Sequence, residues 1–184
     1  MGWDDGGAPE RKFHRPEAGL AVADGQRIAG YASLFGAVDQ GGDVVLPGAY
    51  AASLTALKAR GGAVKMLWQH DPAQPIGVWD EVREDGRGLW VSGRLLPEVA
   101  RAREAAALIA AGAVDGLSIG YRTKRAEKDG QGRRLLAEVE LWEVSLVTFP
   151  MLREARVQAK AEGLDLLAML TGALAEARRE MSGR

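Results

Sequence analysis

Short apolar runs, interrupted by polar residues, recur along the first 150 positions of this chain. They are separated by turns rich in Gly and Pro, and they cover residues 27–35, 64–70, 76–82, 88–96, 114–123 and 135–149. Short strands of this kind, with turn residues between them, are typical of antiparallel sheets and barrels. The pattern therefore predicts a closed antiparallel β-barrel.

Two segments have helical character instead. Each begins with a proline, at Pro47 and Pro97, and each ends at glycine, at Gly61 and Gly112. Proline in the first turn and glycine after the last turn are the usual start and stop signals of a helix. We expect both helices to pack around the barrel, so the predicted fold class is α+β and mainly β.

Composition divides the chain into three parts. Residues 1–18 are rich in Gly, Pro and charge and are predicted to be a flexible N-terminal segment. Residues 19–152 would form the folded domain, within which the polar stretch 124–134 is expected to be a solvated loop between two strands. Residues 153–184 are rich in Ala, Leu, Glu and Arg, with apolar positions at helical spacing. This tail is predicted to be an amphipathic helix that docks on its own domain or on a second subunit.

Charge and composition exclude several classes of function. Of the 184 residues, 24 are Lys or Arg and 25 are Asp or Glu, which gives a net charge of -1. Without a positive field, binding to nucleic acid or to an anionic membrane surface is disfavoured. The absence of cysteine excludes a thiol nucleophile and a disulfide framework. No leader sequence and no apolar run of membrane length is visible, so the expected location is the cytoplasm.

The segment GLSIG around Ser118 fits the pattern G-x-S-x-G, which can present a nucleophilic serine. An α/β-hydrolase elbow is excluded because no histidine follows the motif and because the next residues are typical of a strand. Alternation along that strand places Gly116, Ser118 and Gly120 on one face. We expect an open surface there, where a substrate carbonyl could reach the hydroxyl. The alternative is a structural serine between two packing glycines.

A serine hydroxyl needs a neighbouring base, and imidazole is the usual one. The chain has two histidines. His14 lies in the charged N-terminal segment. His70 ends the run 64–70, on the same predicted face as Val64, Met66 and Trp68. His70 is therefore the favoured base, and the alternative is a structural histidine before a turn.

A lysine base is a second alternative for Ser118. Lys65 lies on the face opposite to His70 in the predicted strand, and Lys124 belongs to a polar stretch. A lysine base has to be desolvated, so both residues are disfavoured.

Glu143 is a carboxylate on an otherwise apolar face of the run 135–149. Burying an unpaired carboxylate is costly, so this side chain requires a partner. A histidine across the barrel would be one such partner. An ion pair with Arg94 or Arg122 is the alternative.

Four blocks of the chain, in this order, resemble the prohead maturation proteases of tailed phages: GYASLFGAVDQGGDVVLPGAY, LWQHDPAQPIGVW, GLSIGYR and LWEVSLVTFP. The resemblance covers roughly residues 28–150. These enzymes are similar in fold to the herpesvirus assemblins, in which helices surround a mostly antiparallel β-barrel. The resemblance implies that Ser118 is the nucleophile, His70 the general base and then acid, and Glu143 the orienting acid. The herpesvirus relatives have a second histidine in that third role, for which this chain has no counterpart.

The function implied by this resemblance is proteolysis in the procapsid that assembles in the cytoplasm of the bacterial host. The substrates would be the scaffold or the N-terminal scaffolding segment of the major capsid protein, together with the protease itself. The partners would be those proteins and a second copy of the chain, without metal or organic cofactor. Residues 122–128 are a candidate source of oxyanion-binding N–H groups. The alternative function is a non-catalytic protein that binds scaffold or assists capsid assembly.

Overall fold

The computed structural model describes residues 10–14, 21–23, 26–39 and 41–149. This part of the chain forms one sheet of nine strands, together with two α-helices. The elements are β1 (Glu10–His14), β2 (Ala21–Ala23), β3 (Arg27–Leu34), β4 (Asp43–Val45), α1 (Ala51–Ala59), β5 (Lys65–Trp68), β6 (Asp71–Glu84), β7 (Gly88–Leu95), α2 (Ala100–Ala110), β8 (Gly116–Lys128) and β9 (Arg134–Val147). Neither helix is long and apolar enough to cross a membrane.

The strands follow the order β1-β8-β9-β5-β6-β7-β3-β2, and β4 pairs with β9 beside this path. Most neighbours are antiparallel, but β5 and β4 each run parallel to β9. The sheet is therefore mixed rather than purely antiparallel. Strand β9 pairs with β8, β5 and β4, so it is the strand around which this half of the sheet is organised.

The prediction of a closed barrel is wrong, although the chain is mainly β as expected. The sheet curls until β3 approaches β1 and β8, yet no ladder in the described part of the chain joins the edge strands β1 and β2. It is therefore an open half-barrel. The alternation of apolar residues reports only that one face of a strand is buried, and a curled open sheet buries that face as a closed barrel does. Only two helices flank this sheet in the described residues, and the amphipathic helix predicted for 153–184 lies outside them.

The polar stretch 124–134 is not a loop over most of its length. Strand β8 continues to Lys128 and β9 begins at Arg134, so the two strands form a long hairpin with a short turn. In that turn Asp129 Oδ1 accepts hydrogen bonds from the backbone N–H groups of Gln131 at 2.8 Å and Arg133 at 2.9 Å. Much of this hairpin is exposed to solvent, so its residues are polar. The apolar pattern by which a strand is recognised in a sequence is therefore missing there.

The edge strand β1 lies within the segment for which composition predicts flexibility. It pairs antiparallel with β8, and Phe13 is the register partner of Ser118. Such pairing uses backbone N–H and C=O groups, which every non-proline residue carries, so it leaves little trace in composition. The predicted domain boundaries after residues 18 and 152 lie outside the described residues.

A hydrophobic core fills the space between the curled sheet and the two helices. Helix α1 packs on β9, and the hydroxyl of its Ser53 accepts a hydrogen bond from the backbone N–H of Leu141 at 2.9 Å. Behind β9, the indole N–H of Trp79 donates to the carbonyl of Val144 at 3.2 Å. These contacts fix β9 from the core side, which matters because β9 carries part of the site described next.

Candidate active site

Three strands bring the candidate residues together. Ser118 is on β8, Glu143 is on the adjacent strand β9, and His70 follows β5 on the other side of β9. In the β8–β9 ladder Ser118 lies opposite Ser145, and Gly120 lies opposite Glu143. Directly opposed residues of an antiparallel pair project from the same face of the sheet. The structure therefore places Ser118, Glu143 and Ser145 on one face.

The imidazole of His70 lies between the other two candidate residues. Its Nε2 is 2.6 Å from the hydroxyl oxygen of Ser118, and its Nδ1 is 2.5 Å from Oε1 of Glu143. All three residues are buried, with relative exposures of 0% for Ser118, 6% for His70 and 9% for Glu143. A hydroxyl, an imidazole and a carboxylate thus form a continuous chain of hydrogen bonds shielded from solvent.

The backbone at His70 is unusual. Gln69 and His70 have φ values of 53° and 62°, in the left-handed region that non-glycine residues rarely adopt. Such conformations cost on the order of 1–2 kcal/mol each, so they persist where neighbouring contacts enforce them. Here the N–H of Gln69 donates to the carbonyl of Leu146 at 2.9 Å, and the amide of its side chain donates to Thr148 Oγ1 at 2.7 Å. The corner after β5 is therefore fastened to the end of β9.

The alternation argument does not explain the position of His70. The β5–β6 register shifts on both sides of Leu67, and Met66 and Leu67 are both buried although they are consecutive. The left-handed corner, rather than the face of a regular strand, aims the imidazole at Ser118.

Gly120 has a different role from the one predicted. A Cβ atom at this position would lie 2.1 Å from Oε1 of Glu143, so the carboxylate occupies the space that a side chain would need. The open surface expected around Ser118 is absent in the described structure, because Glu143 fills it on one side and β1 runs along the outer edge of β8. The glycine makes room for the acid and not for a substrate.

Ser145 is a member of this site that the sequence analysis did not single out. Its hydroxyl donates to Oε2 of Glu143 and accepts a hydrogen bond from the backbone N–H of His70 at 3.2 Å. It is fully buried. The signal that could have revealed it is a second polar residue on the same apolar strand face, two positions after Glu143.

The alternative partners for these residues lie elsewhere. Arg94 forms an ion pair with Asp80, and Arg122 Nε is 4.0 Å from Oε2 of Glu140. Glu143 thus contacts His70 and Ser145 rather than either arginine.

The candidate lysine bases are also placed away from Ser118. Lys65 is exposed, and Lys124 Nζ lies 3.0 Å from a carboxylate oxygen of Glu140. This hydrogen bond holds the pKa of Glu140 below its ordinary value. The other histidine, His14, lies on β1 opposite Leu117.

The segment proposed to bind an oxyanion does not form a loop near Ser118. Residues 122–128 continue β8, and Arg122 lies four positions beyond Ser118, which is about 13 Å along a strand. Within the described residues, no group of three or more His, Asp or Glu side chains is arranged to hold a metal ion.

This arrangement is the one used by serine hydrolases with a Ser-His-acid triad, which recurs on unrelated folds. The chain belongs to the Caudovirus prohead serine protease family, whose model matches residues 14–169. The resemblance of the four sequence blocks is thereby confirmed.

One relative and one solved structure illustrate this similarity. The prohead protease of Enterobacteria phage HK97 is 35% identical over 143 residues, and the match covers 75% of this chain. The match spans 62% of the length of that relative. The solved structure of the bacteriophage T4 capsid assembly protease has a TM-score of 0.56 and 16% identity, and the match covers 77% of this chain and 99% of that one. At this identity, the second comparison supports the fold alone.

Proposed function

We propose that this chain is a serine endopeptidase that acts in the assembling procapsid of a tailed phage. The observation that carries the proposal is the buried chain of hydrogen bonds from Ser118 through His70 to Glu143. Membership of the prohead serine protease family supports it independently.

In the proposed mechanism Ser118 Oγ attacks the scissile carbonyl while Nε2 of His70 takes the hydroxyl proton. The tetrahedral intermediate collapses, the C–N bond breaks, and His70 returns the proton to the leaving amine. Water then attacks the acyl-enzyme with His70 again as base, which releases the new carboxyl terminus and restores Ser118. Glu143 holds Nδ1–H toward itself, so that Nε2 is the nitrogen available to Ser118, and it stabilises the imidazolium that forms.

The proposed substrates are the scaffold or the N-terminal scaffolding segment of the major capsid protein, and the chain itself. The similarity to a phage prohead protease supports this choice. The proposed site of action is the interior of the procapsid in the cytoplasm of the bacterial host, where enzyme and substrate are packaged together. Association with a second copy of the chain, and docking of the scaffold through residues 153–184, belong to the same proposal.

The test is co-expression of the full chain with its cognate major capsid protein, followed by intact-mass analysis of both. We expect the wild type to trim the capsid protein or itself, and we expect Ser118→Ala to trim neither. Ser53→Ala is the matched control, because it removes another buried hydroxyl that does not contact His70 or Glu143. Processing by Ser118→Ala at the wild-type rate would exclude Ser118 as the nucleophile.

One observation favours a non-catalytic role in capsid assembly. Ser118 is fully buried, and β1 occupies the edge of β8 beside it. For catalysis, a substrate has to gain access to this hydroxyl. Labelling of the purified wild type with a fluorophosphonate, which modifies activated serines, distinguishes the two functions. Stoichiometric labelling at Ser118 supports the protease, and complete inertness of a folded protein supports the assembly role.

A further inference from the structure

We propose that Ser145 is a positioning residue of this site, whose hydroxyl fixes both the base and the acid that act on Ser118. The inference rests on the proposed function and deepens it, because it names a residue that neither the family match nor the sequence motifs assign.

The first argument is the pair of hydrogen bonds made by one hydroxyl. Ser145 Oγ donates its proton to Oε2 of Glu143 and accepts the backbone N–H of His70 at 3.2 Å. Glu143 uses its other oxygen, Oε1, for Nδ1 of His70. Both carboxylate oxygens are thus held, which fixes the plane of the carboxylate and therefore the direction in which it receives the imidazole N–H.

The second argument is the backbone of His70. Because its φ of 62° is unfavourable for a residue with a side chain, this conformation depends on the contacts of the peptide group. The hydroxyl of Ser145 accepts a hydrogen bond from the backbone N–H of His70. Loss of this hydrogen bond would release the corner that aims the imidazole at Ser118.

The third argument is the ladder position of Ser145. It lies directly opposite Ser118 in the β8–β9 pairing, and it is two residues from Glu143 on the same strand. One residue therefore hydrogen-bonds to the base and to the acid and is paired in register with the nucleophile.

A purely structural role for Ser145 makes a different prediction. A buried hydroxyl requires hydrogen-bond partners wherever it lies, and its removal generally lowers stability. Ser53 is the matched case, because its buried hydroxyl accepts the backbone N–H of Leu141 on the same strand β9. If Ser145 is merely structural, Ser145→Ala and Ser53→Ala should have similar effects.

The experiment compares these two variants of the full chain by two measurements. The first is the rate of fluorophosphonate labelling at Ser118. We expect Ser145→Ala to slow it roughly 10- to 100-fold, since misplacement of a catalytic group by about 1 Å can cost 100-fold. We expect Ser53→Ala to leave it unchanged. Equal rates for wild type and a folded Ser145→Ala would overturn the proposal, as would equal slowing by the two variants.

The second measurement is the low-field proton NMR signal of the hydrogen bond between His70 Nδ1 and Glu143. We expect Ser145→Ala to shift or abolish this signal and Ser53→Ala to preserve it. An unchanged signal in Ser145→Ala contradicts the proposal. This readout does not require turnover, so it tests Ser145 even where Ser118→Ala shows that the proposed function is wrong.

A second pair of variants serves if Ser145→Ala does not fold. Ser145→Thr and Ser145→Val have nearly the same shape, but only threonine retains a hydroxyl. We expect Ser145→Thr to keep the NMR signal and to be labelled at least 10-fold faster than Ser145→Val. Identical behaviour of the two would show that the hydroxyl does not position the site.

Discussion

Two carboxylates in this chain, Glu143 and Asp85, are held by several hydrogen bonds, but in opposite surroundings. Glu143 is buried on β9 between His70 and Ser145. Asp85 lies in the connection between β6 and β7, where it accepts hydrogen bonds from Tyr31 Oη at 2.8 Å and from Arg83 Nη1 at 2.7 Å. The backbone N–H groups after Asp85 also donate to it.

The comparison shows that the number of partners does not reveal what a carboxylate does. Asp85 is only half-buried, and its partners Arg83 and Arg87 are exposed, so water can replace them and salt screens the charges. Removing one partner of a buried ion pair generally costs about 3–5 kcal/mol, because the remaining charge has no substitute for it. A buried carboxylate such as Glu143 is therefore more sensitive to the loss of one partner than Asp85 is. Its partners also fix its orientation, which proton transfer requires.

The largest expected contrast comes from replacing each carboxylate by its amide. We expect Glu143→Gln to lower the rate of substrate cleavage by about 10⁴-fold, the effect known for the equivalent change in a Ser-His-Asp triad, because the amide no longer selects the tautomer with Nδ1–H. Asp85→Asn should leave the rate unchanged. The measurement is the cleavage rate of the capsid protein by purified variants. A Glu143→Gln enzyme within 10-fold of wild type would remove Glu143 from the mechanism.

Two glycines provide the next contrast. In Gly120→Ala the new methyl group would collide with Oε1 of Glu143, whereas at Gly86, beside Asp85, a Cβ has nothing within 4 Å. We expect Gly120→Ala to slow fluorophosphonate labelling of Ser118 about 100-fold, because the displaced carboxylate moves the imidazole. Gly86→Ala should be labelled as the wild type is. Normal labelling of Gly120→Ala would mean that Glu143 can move without consequence.

Two tryptophans allow a smaller contrast in stability. Trp79 donates its indole N–H to the carbonyl of Val144 in the core, while the partly buried Trp90 packs edge-on against Tyr31. We expect Trp79→Phe to lose about 1 kcal/mol through this hydrogen bond, which lowers Tm by about 2–4 °C. Trp90→Phe should lower it less, because phenylalanine retains an aromatic contact with Tyr31. Thermal unfolding measures both, and a larger loss at Trp90 would reverse the comparison.

The smallest expected effect concerns acid stability at Asp85. Hydrogen bonds from the backbone N–H of Arg87 and from Tyr31 lower the pKa of Asp85 from 3.8 to about 2. A carboxyl whose folded pKa is depressed stabilises the fold above its unfolded pKa, and this contribution disappears as the pH falls through the folded pKa. The Tm difference between wild type and Asp85→Asn should therefore shrink between about pH 4 and pH 2. A difference that is constant over this range would contradict the assignment.

Several parts of the fold could be predicted from the sequence because they depend on local pattern. The runs that became β3, β7 and β9 alternate or are largely apolar, and the helices α1 and α2 lie within segments that start with proline and end with glycine. Which strands pair depends on contacts between distant residues. The sequence therefore does not indicate that β9 pairs in parallel with β5, or that the edge strands β1 and β2 do not pair with each other.

In the candidate site, too, some features could be predicted from local sequence pattern and others depend on distant contacts. Residue type and predicted strand face make Ser118, His70 and Glu143 candidates with alternatives, and the resemblance to prohead proteases implies their roles. The structure brings the three side chains together. The left-handed corner at His70 could not be predicted, because positive φ is uncommon in every non-glycine residue, including histidine, in which it is enriched. The sequence predicts an opening for substrate at Gly120, because it does not show that the side chain of Glu143 on the neighbouring strand fills the space.

The parallel pairing of β5 with β9 also has a consequence for when the site can form during synthesis of the chain. His70 and Glu143 are 73 positions apart, and β9 is the last strand of the described residues. Contacts between distant residues form slowly because a long loop has to close first. Until the ribosome has released β9, no strand lies between β8 and β5. The nascent chain therefore carries Ser118 and His70 without the strand that joins them. The order of translation thus delays assembly of the site until the last of the described strands has emerged.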